Sequence, residues 1–187
     1  VRDGGGKIIA NEVTTGIGRT GKWFGYQHYD ISPDFIAVGK GIGNGYPVSI
    51  ALINEPAARQ LEKKPFHYSQ SHQNDPLGAS IVHGVIRYIE KNNLISKAES
   101  NGLLLQKHLE SLVDKEIILE VRGRGLMFAV EIKNEKITSS IYNDLIEKGY
   151  IVGNRGSSFR IDPPLTITKT EIDGFIEALR ESKSCFK

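Results

Sequence analysis

The sequence predicts an α/β portion followed by a compact α+β portion. Two observations carry this reading. Three short, continuous apolar runs lie among glycines in residues 1–54, the pattern of strands covered on both faces. Residues 75–187 then alternate helical stripes with strand patterns and hold most of the lysine and glutamate, as a sheet with helices segregated beside it would.

Each element has its own signal. Ile8-Ile9-Ala10 reads as a buried strand bounded by Gly4–Gly6, and Phe35-Ile36-Ala37-Val38 as a second after Ser32-Pro33-Asp34. Val48–Ile53 is the third. Residues 14–34 carry Gly16, Gly18, Gly21, Gly25 and Pro33 and read as a long loop, a class of segment that is often functional. Asp75 is an N-cap with Pro76 at the first helical position. Leu77, Ile81, Val82, Val85, Ile86 and Ile89 then share a face, and Asn92-Asn93 ends the helix. A second helix runs from Ser96 to Val113, with Leu104, Leu105, His108, Leu109 and Leu112 inward. Residues 117–121 and 126–132 read as strands with Arg122-Gly123-Arg124-Gly125 turning between them. A helix over 137–148 comes next, then short strands at Tyr150–Val152 and Ser158–Ile161. Thr168 with Glu171 three residues later is a capping box, and Ile172, Phe175, Ile176 and Leu179 form the apolar face behind it.

Composition excludes several classes. In 187 residues, 24 Lys+Arg against 22 Asp+Glu leave a net charge of +2, which gives no case for a nucleic-acid partner. No run of 18 apolar residues offers a membrane-spanning helix. Val1–Lys7 lacks the apolar region of a signal peptide. The single cysteine, Cys185, makes no internal disulfide and no thiolate cage, and a reduced, cytoplasmic setting is the default expectation. The histidines at 28, 67, 72, 83 and 108 show no metal-ligand spacing, so no metal is expected.

Two phosphate motifs are nearly spelled and fail. Gly16-Ile17-Gly18-Arg19-Thr20-Gly21 matches G-x-G-x-x-G, but Lys22–Tyr29 carries no helical stripe to open at those glycines. Gly16, Gly21 and Lys22 fit a P-loop, yet Trp23 stands where Ser or Thr would hold magnesium.

Two polar clusters lie just past strand ends, where open α/β sheets gather their ligands. One is Asn11-Glu12-Val13-Thr14-Thr15-Gly16 and the other Gly39-Lys40-Gly41-Ile42-Gly43-Asn44-Gly45. Lys40 directly follows a buried strand and sits between glycines that leave room around it. A lysine held there and partly withheld from water suits Schiff-base chemistry. A strand-end lysine that snorkels to water is the other reading of the same residues.

These stretches resemble the class III pyridoxal-phosphate-dependent aminotransferases. Ile8–Gly21, Pro33–Pro47, Ser69–Leu77, Val121–Leu126 and Phe159–Leu165 come in that family's order and spacing. The resemblance implies a role for each of several residues. Lys40 matches the lysine that forms the Schiff base with pyridoxal 5'-phosphate and moves the proton. Position 11 matches the acidic residue facing the pyridine nitrogen, here Asn11, which hydrogen-bonds but adds no charge to the electron sink. Glu12 could substitute, but strand alternation points it to the opposite side. Val13 matches the apolar residue on the ring face. Thr14 stands where many members have Gln near the ring hydroxyl. Ser71 matches a Ser/Thr that reaches the phosphate in the neighbouring subunit, which implies a homodimer. Arg160 matches an arginine that binds a substrate carboxylate or pairs with an acidic gate.

Family members are roughly twice this length or more, so the resemblance implies the C-terminal part of a fold-type-I transferase. Residues 1–75 would be part of the large cofactor-binding domain, 76–113 connecting helices, and 114–187 the small α+β domain. Association with an N-terminal half, favoured by open strand edges, belongs to the same expectation. The implied activity moves an amino group from an amino acid or amine to a 2-oxo acid. The alternatives are a fragment or homologue without catalysis, or a decarboxylase or aminomutase on the same scaffold.

Overall fold

The first two apolar runs form parallel neighbours in the computed structural model of the chain, which describes residues 1–63 and 67–186. Ile9–Asn11 (β1) pairs with Phe35–Val38 (β2), and Ile50–Ile53 (β3) pairs antiparallel with β2 on its other side. The third strand begins two residues later than its apolar run. Expected burial on both faces is not met in this chain: Ile9 is 69% exposed, and Leu52 and Ile53 are also exposed. The strands are apolar enough for a covered sheet, but no described element lies over those side chains.

Asp34 fastens the amino end of this sheet. Its carboxylate accepts from Ile8 N at 2.8 Å and Asn54 Nδ2 at 3.3 Å, with Arg2 at 3.5 Å. The Ile8 amide leads in holding this carboxyl below its usual range. Asn54 also accepts from Ala57 N at 2.9 Å and caps Glu55–Lys63 (α1), a helix the periodicity had not revealed. Pro76–Lys91 (α2) starts as expected, with Asp75 accepting from Leu77 N and Gly78 N. Its apolar stripe is only half-covered, and Leu77 is exposed rather than inward.

Residues Val1–Asn93 form one compact unit and Leu94–Lys187 another. The boundary falls inside the segment 76–113 expected to connect domains, assigning α2 to the first unit. Leu94–Glu110 (α3) opens the second unit.

Ile118–Arg124 (β4), Met127–Ile132 (β5), Gly153–Arg155 (β6) and Ser158–Ile161 (β7) make an antiparallel sheet in the order β4-β5-β7-β6. Glu135–Glu147 (α4) and Lys169–Ser184 (α5) pack with α3 on one face. That face buries Ile118, Phe128, Val130, Ile132, Phe159 and Ile161 against Leu105, Leu109, Ile141, Leu145, Ile172 and Leu179. The other face is polar, as alternation requires.

Two strand limits differ from expectation. β4 continues through Arg122 to Arg124, so the turn is only Gly125-Leu126. Arg122 stays in the ladder because it faces the polar side, where it pairs with Glu120 at 2.6 Å and Glu131 at 3.3 Å. Tyr150–Val152 is not a strand. Tyr150 N donates to Leu145 O at 2.8 Å and Gly149 N to Ile146 O at 2.9 Å, the Schellman closure of α4. His108, expected inward, is part-exposed and lies 3.6 Å from Asp173.

A part-buried ion pair ties α5 to the segment that follows α3. Lys183 Nζ lies 2.8 Å from Asp114 Oδ2 and donates to Leu112 O at 2.5 Å. Burial alone would raise the Asp114 carboxyl. The Lys183 ammonium and the amides of Ile117, Glu116 and Ile118 outweigh it and hold the group far below the usual carboxylate range. A folded value below the unfolded one gives stability that is complete above about pH 4 and lost as pH falls toward the folded value. Lys183→Met is expected to cost about 1.5–3 kcal/mol at neutral pH, with a smaller further loss at pH 3 than the parent chain suffers. Urea unfolding at both pH values measures this.

Candidate active site

Parallel pairing of β1 and β2 puts both carboxyl ends at one edge of the sheet. The ladder runs one residue past β1, with Glu12 N donating to Ala37 O at 2.8 Å. The segments that leave the two strands therefore meet at this edge, and the two polar clusters of the sequence are brought together.

Lys40 is the centre of this edge. It opens a single 3-10 turn, Lys40–Ile42, anchored by Ile42 at 1% exposure. Its backbone is left-handed, with φ 47°, a region where a non-glycine residue is strained. Nζ donates to Thr14 Oγ1 at 2.9 Å, joining two clusters 26 residues apart in sequence. Lys40 is exposed, so the expectation of a partly desolvated lysine is corrected: no described element covers its ammonium.

Val13 stands beside the lysine turn; a methyl at Gly39 would lie 3.5 Å from its Cγ1. Asn11 is exposed, and its Oδ1 accepts from Val13 N at 3.2 Å. Glu12 is turned the other way, as alternation predicted. It is 3% exposed, and its carboxylate accepts from Thr15 Oγ1 at 2.6 Å, Gly25 N at 2.8 Å and Tyr26 N at 2.7 Å. An open depression of about 480 Å³ borders the lysine, with Asn44, Tyr46 and Val48 in its lining, a volume in the range of small-molecule sites.

The glycine-rich loop forms turns over residues 13–20 and a short 3-10 helix at Gly25–His28. No helix opens at Gly16–Gly21, so neither nucleotide motif has its structural context.

Besides the donors of Glu12, sequence reasoning missed a tie at Tyr46. Tyr46 Oη donates to Asp75 Oδ2 at 2.8 Å, binding the turn after Lys40 to the cap of α2. That hydrogen bond, then the Gly78 amide, holds the Asp75 carboxyl below its usual range, and it pushes the Tyr46 hydroxyl up. Periodicity carries no signal for such a pair, 29 residues apart.

Ser71 lies in the exposed turn 71–74 of the first unit. Arg160 belongs to the second unit, on the polar face of β7 between Ala129 and Gly153. Its Nη2 meets Asp162 Oδ2 at 2.5 Å, and its buried Nε has no hydrogen-bond partner among the described residues. The guanidinium is thus engaged on one side, at its own strand end.

A primary amine held by a hydroxyl, with an apolar side chain and an amide at the same edge, is a donor set that fits an aromatic aldehyde such as pyridoxal phosphate. The fit lacks one feature. No carboxylate is offered at the Asn11 position, because Glu12 is consumed in the loop.

The comparisons with known proteins identify the family. The family described as Aminotransferase class-III matches residues 3–182. Alanine–glyoxylate aminotransferase 2, mitochondrial, of Homo sapiens is 36% identical over 197 residues, covering 97% of this chain and 38% of that protein. Acetylornithine aminotransferase of Caldanaerobacter subterraneus is 34% identical over 174 residues, covering 92% and 43%. An S-selective transaminase from Arthrobacter sp., solved with alanine bound, superposes with a TM-score of 0.91 at 28% identity, over 98% of this chain and 45% of that one. The chain thus spans less than half the length of these relatives, and its fold is that of part of a fold-type-I transaminase. With a lysine-bearing strand end of this form and a family match over nearly all its residues, the chain belongs to the class III aminotransferases, a pyridoxal-phosphate-dependent family.

Proposed function

We propose that this chain supplies the lysine-bearing part of an aminotransferase that moves an amino group from an amino acid or amine to a 2-oxo acid. The observation that carries the reading is Lys40: a strained backbone at the shared carboxyl end of parallel strands, with Nζ on Thr14. Pyridoxal phosphate, when bound, supplies an aldehyde and an electron-withdrawing ring. Lys40 would bind the aldehyde carbon through Nζ and, once released, hold and return the proton there. Thr14 Oγ1 orients that nitrogen. Val13 gives the ring an apolar face, and Asn11 presents an uncharged amide.

Arg160 would take a substrate carboxylate in the geometry a guanidinium suits, exchanging its bond to Asp162. Ser71, on an exposed turn, would serve the phosphate site of a neighbouring copy in a homodimer. The test is transfer of isotopic nitrogen from a panel of labelled amino acids and amines to a 2-oxo acid, in the presence of pyridoxal phosphate. Label appearing in the new amino acid supports the reading. Release of carbon dioxide, or an amine moved within one carbon skeleton, would replace it with a decarboxylase or an aminomutase.

A further inference from the structure

Glu12 is buried and consumed by hydrogen bonds, yet it touches nothing that reacts. Its three donors all lie in the loop that follows β1. Thr15 Oγ1 and Gly25 N meet Oε2, and Tyr26 N meets Oε1. The Glu12 backbone also takes part, with its carbonyl accepting from Gly16 N at 3.0 Å. Gly16 must come this close: a methyl there would lie 2.6 Å from that carbonyl. Thr14 is therefore held from its C-terminal side, because the next two residues, Thr15 and Gly16, both bond to Glu12. Thr14 Oγ1 in turn receives the Lys40 ammonium.

We propose that Glu12 is the positioning residue of the lysine, acting through Thr14. The inference deepens the reading of Lys40 as the cofactor-binding amine and rests on it. The chemistry demands a carboxylate. Two backbone N–H donors arrive on two different oxygens, so both oxygens must accept. A glutamine of the same shape offers one acceptor and sets an N–H against the other donor. Glu12→Gln therefore releases either the Thr15–Gly25 side or the Tyr26 side, and Thr14 loses its fixed place.

The test reads Lys40 without requiring cofactor. Trace acetylation of the intact chain, followed by peptide mapping, gives the rate at Lys40 relative to Lys7, Lys22 and Lys63 in the same molecule. An ammonium that must leave Thr14 before it reacts is slowed, so Thr14→Val is expected to speed Lys40 about fivefold. Glu12→Gln is expected to speed it by a similar factor, and the double variant no further, because the two residues act in one chain. Thr15→Val removes a single donor and is expected to give a smaller change in the same direction, which keeps the test usable if Glu12→Gln unfolds. Effects of Glu12→Gln and Thr14→Val that multiply in the double variant, or a rise shared by all four lysines, would overturn the proposal and leave Glu12 a structural residue. Reductive trapping of pyridoxal phosphate on the same variants separates the two readings. An unmodified parent chain would sink the cofactor reading while the acetylation cycle still decides the role of Glu12.

Discussion

Replacing Lys40 with glycine is expected to leave the first unit more stable than replacing it with alanine, by about 1 kcal/mol. Both variants delete the amine and its bond to Thr14, so their difference isolates the backbone. Lys40 has φ 47°, where an L-residue pays for its Cβ and glycine does not. Alanine keeps that cost and loses the ammonium. Glycine sheds the cost but restores chain entropy to the unfolded state, which offsets part of the gain. On backbone grounds alone glycine is the residue that this φ favours. Denaturant melts of the two variants measure the difference, and equal stability would show that the left-handed backbone relaxes once the lysine is gone.

A large structural effect is expected at Gly102. On the buried face of α3, a methyl there would lie 2.3 Å from Gly125 O, 2.5 Å from its carbonyl carbon and 2.6 Å from its Cα. These are backbone atoms of the β4–β5 turn, and Gly125 has φ 56°, so that turn has little freedom to retreat. Gly102→Ala must therefore lift the helix from the hairpin, opening the layer that holds Leu105 and Phe128. Overpacking in a tight core costs about 1–3 kcal/mol, occasionally more, and contact with three backbone atoms sets the expectation at the upper end, about 3 kcal/mol. Gly84, where a methyl meets nothing, is the control: alanine there is expected to stabilise α2 by a few tenths to about 1 kcal/mol. Paired unfolding curves check both.

Elements with end signals were legible in the sequence. Asp75 with Pro76, and Thr168 with Glu171, mark the starts of α2 and α5 where the structure has them. Where two signals compete, the reading slips. Arg122-Gly123-Arg124-Gly125 looks like a turn by composition, but arginines two apart also fit the polar face of a strand, and the ladder pairing wins. Tyr150–Val152 looks like a strand by its apolar run, but the carbonyls at the end of α4 claim the Tyr150 amide. α1 was missed because Asn54, its cap, comes directly after an apolar strand and reads as a loop residue.

The candidate site was half legible. Parallel strands deliver their carboxyl ends together, so the segments holding Asn11, Val13 and Thr14 and holding Lys40 meet, with Thr14 Oγ1 on the lysine. Burial was misjudged at the strands and at Lys40 for a common reason. Apolar runs and flanking glycines say that a side chain could be covered but not by what, and no described element lies over Ile9, Leu52 or Lys40. Tyr46–Asp75 and the three donors of Glu12 had no sequence signal, because each joins a strand end or turn to a loop or cap beyond the reach of any local period.

The most direct test of Lys40 as the cofactor-binding amine is reductive capture. The chain is mixed with pyridoxal phosphate, reduced with borohydride, weighed intact and mapped by peptide. One reduced adduct per chain, confined to the peptide holding Lys40 and absent from Lys40→Ala, is the expected result. Adducts spread evenly over exposed lysines such as Lys7, Lys22 and Lys63, or a chain that stays unmodified, would contradict it.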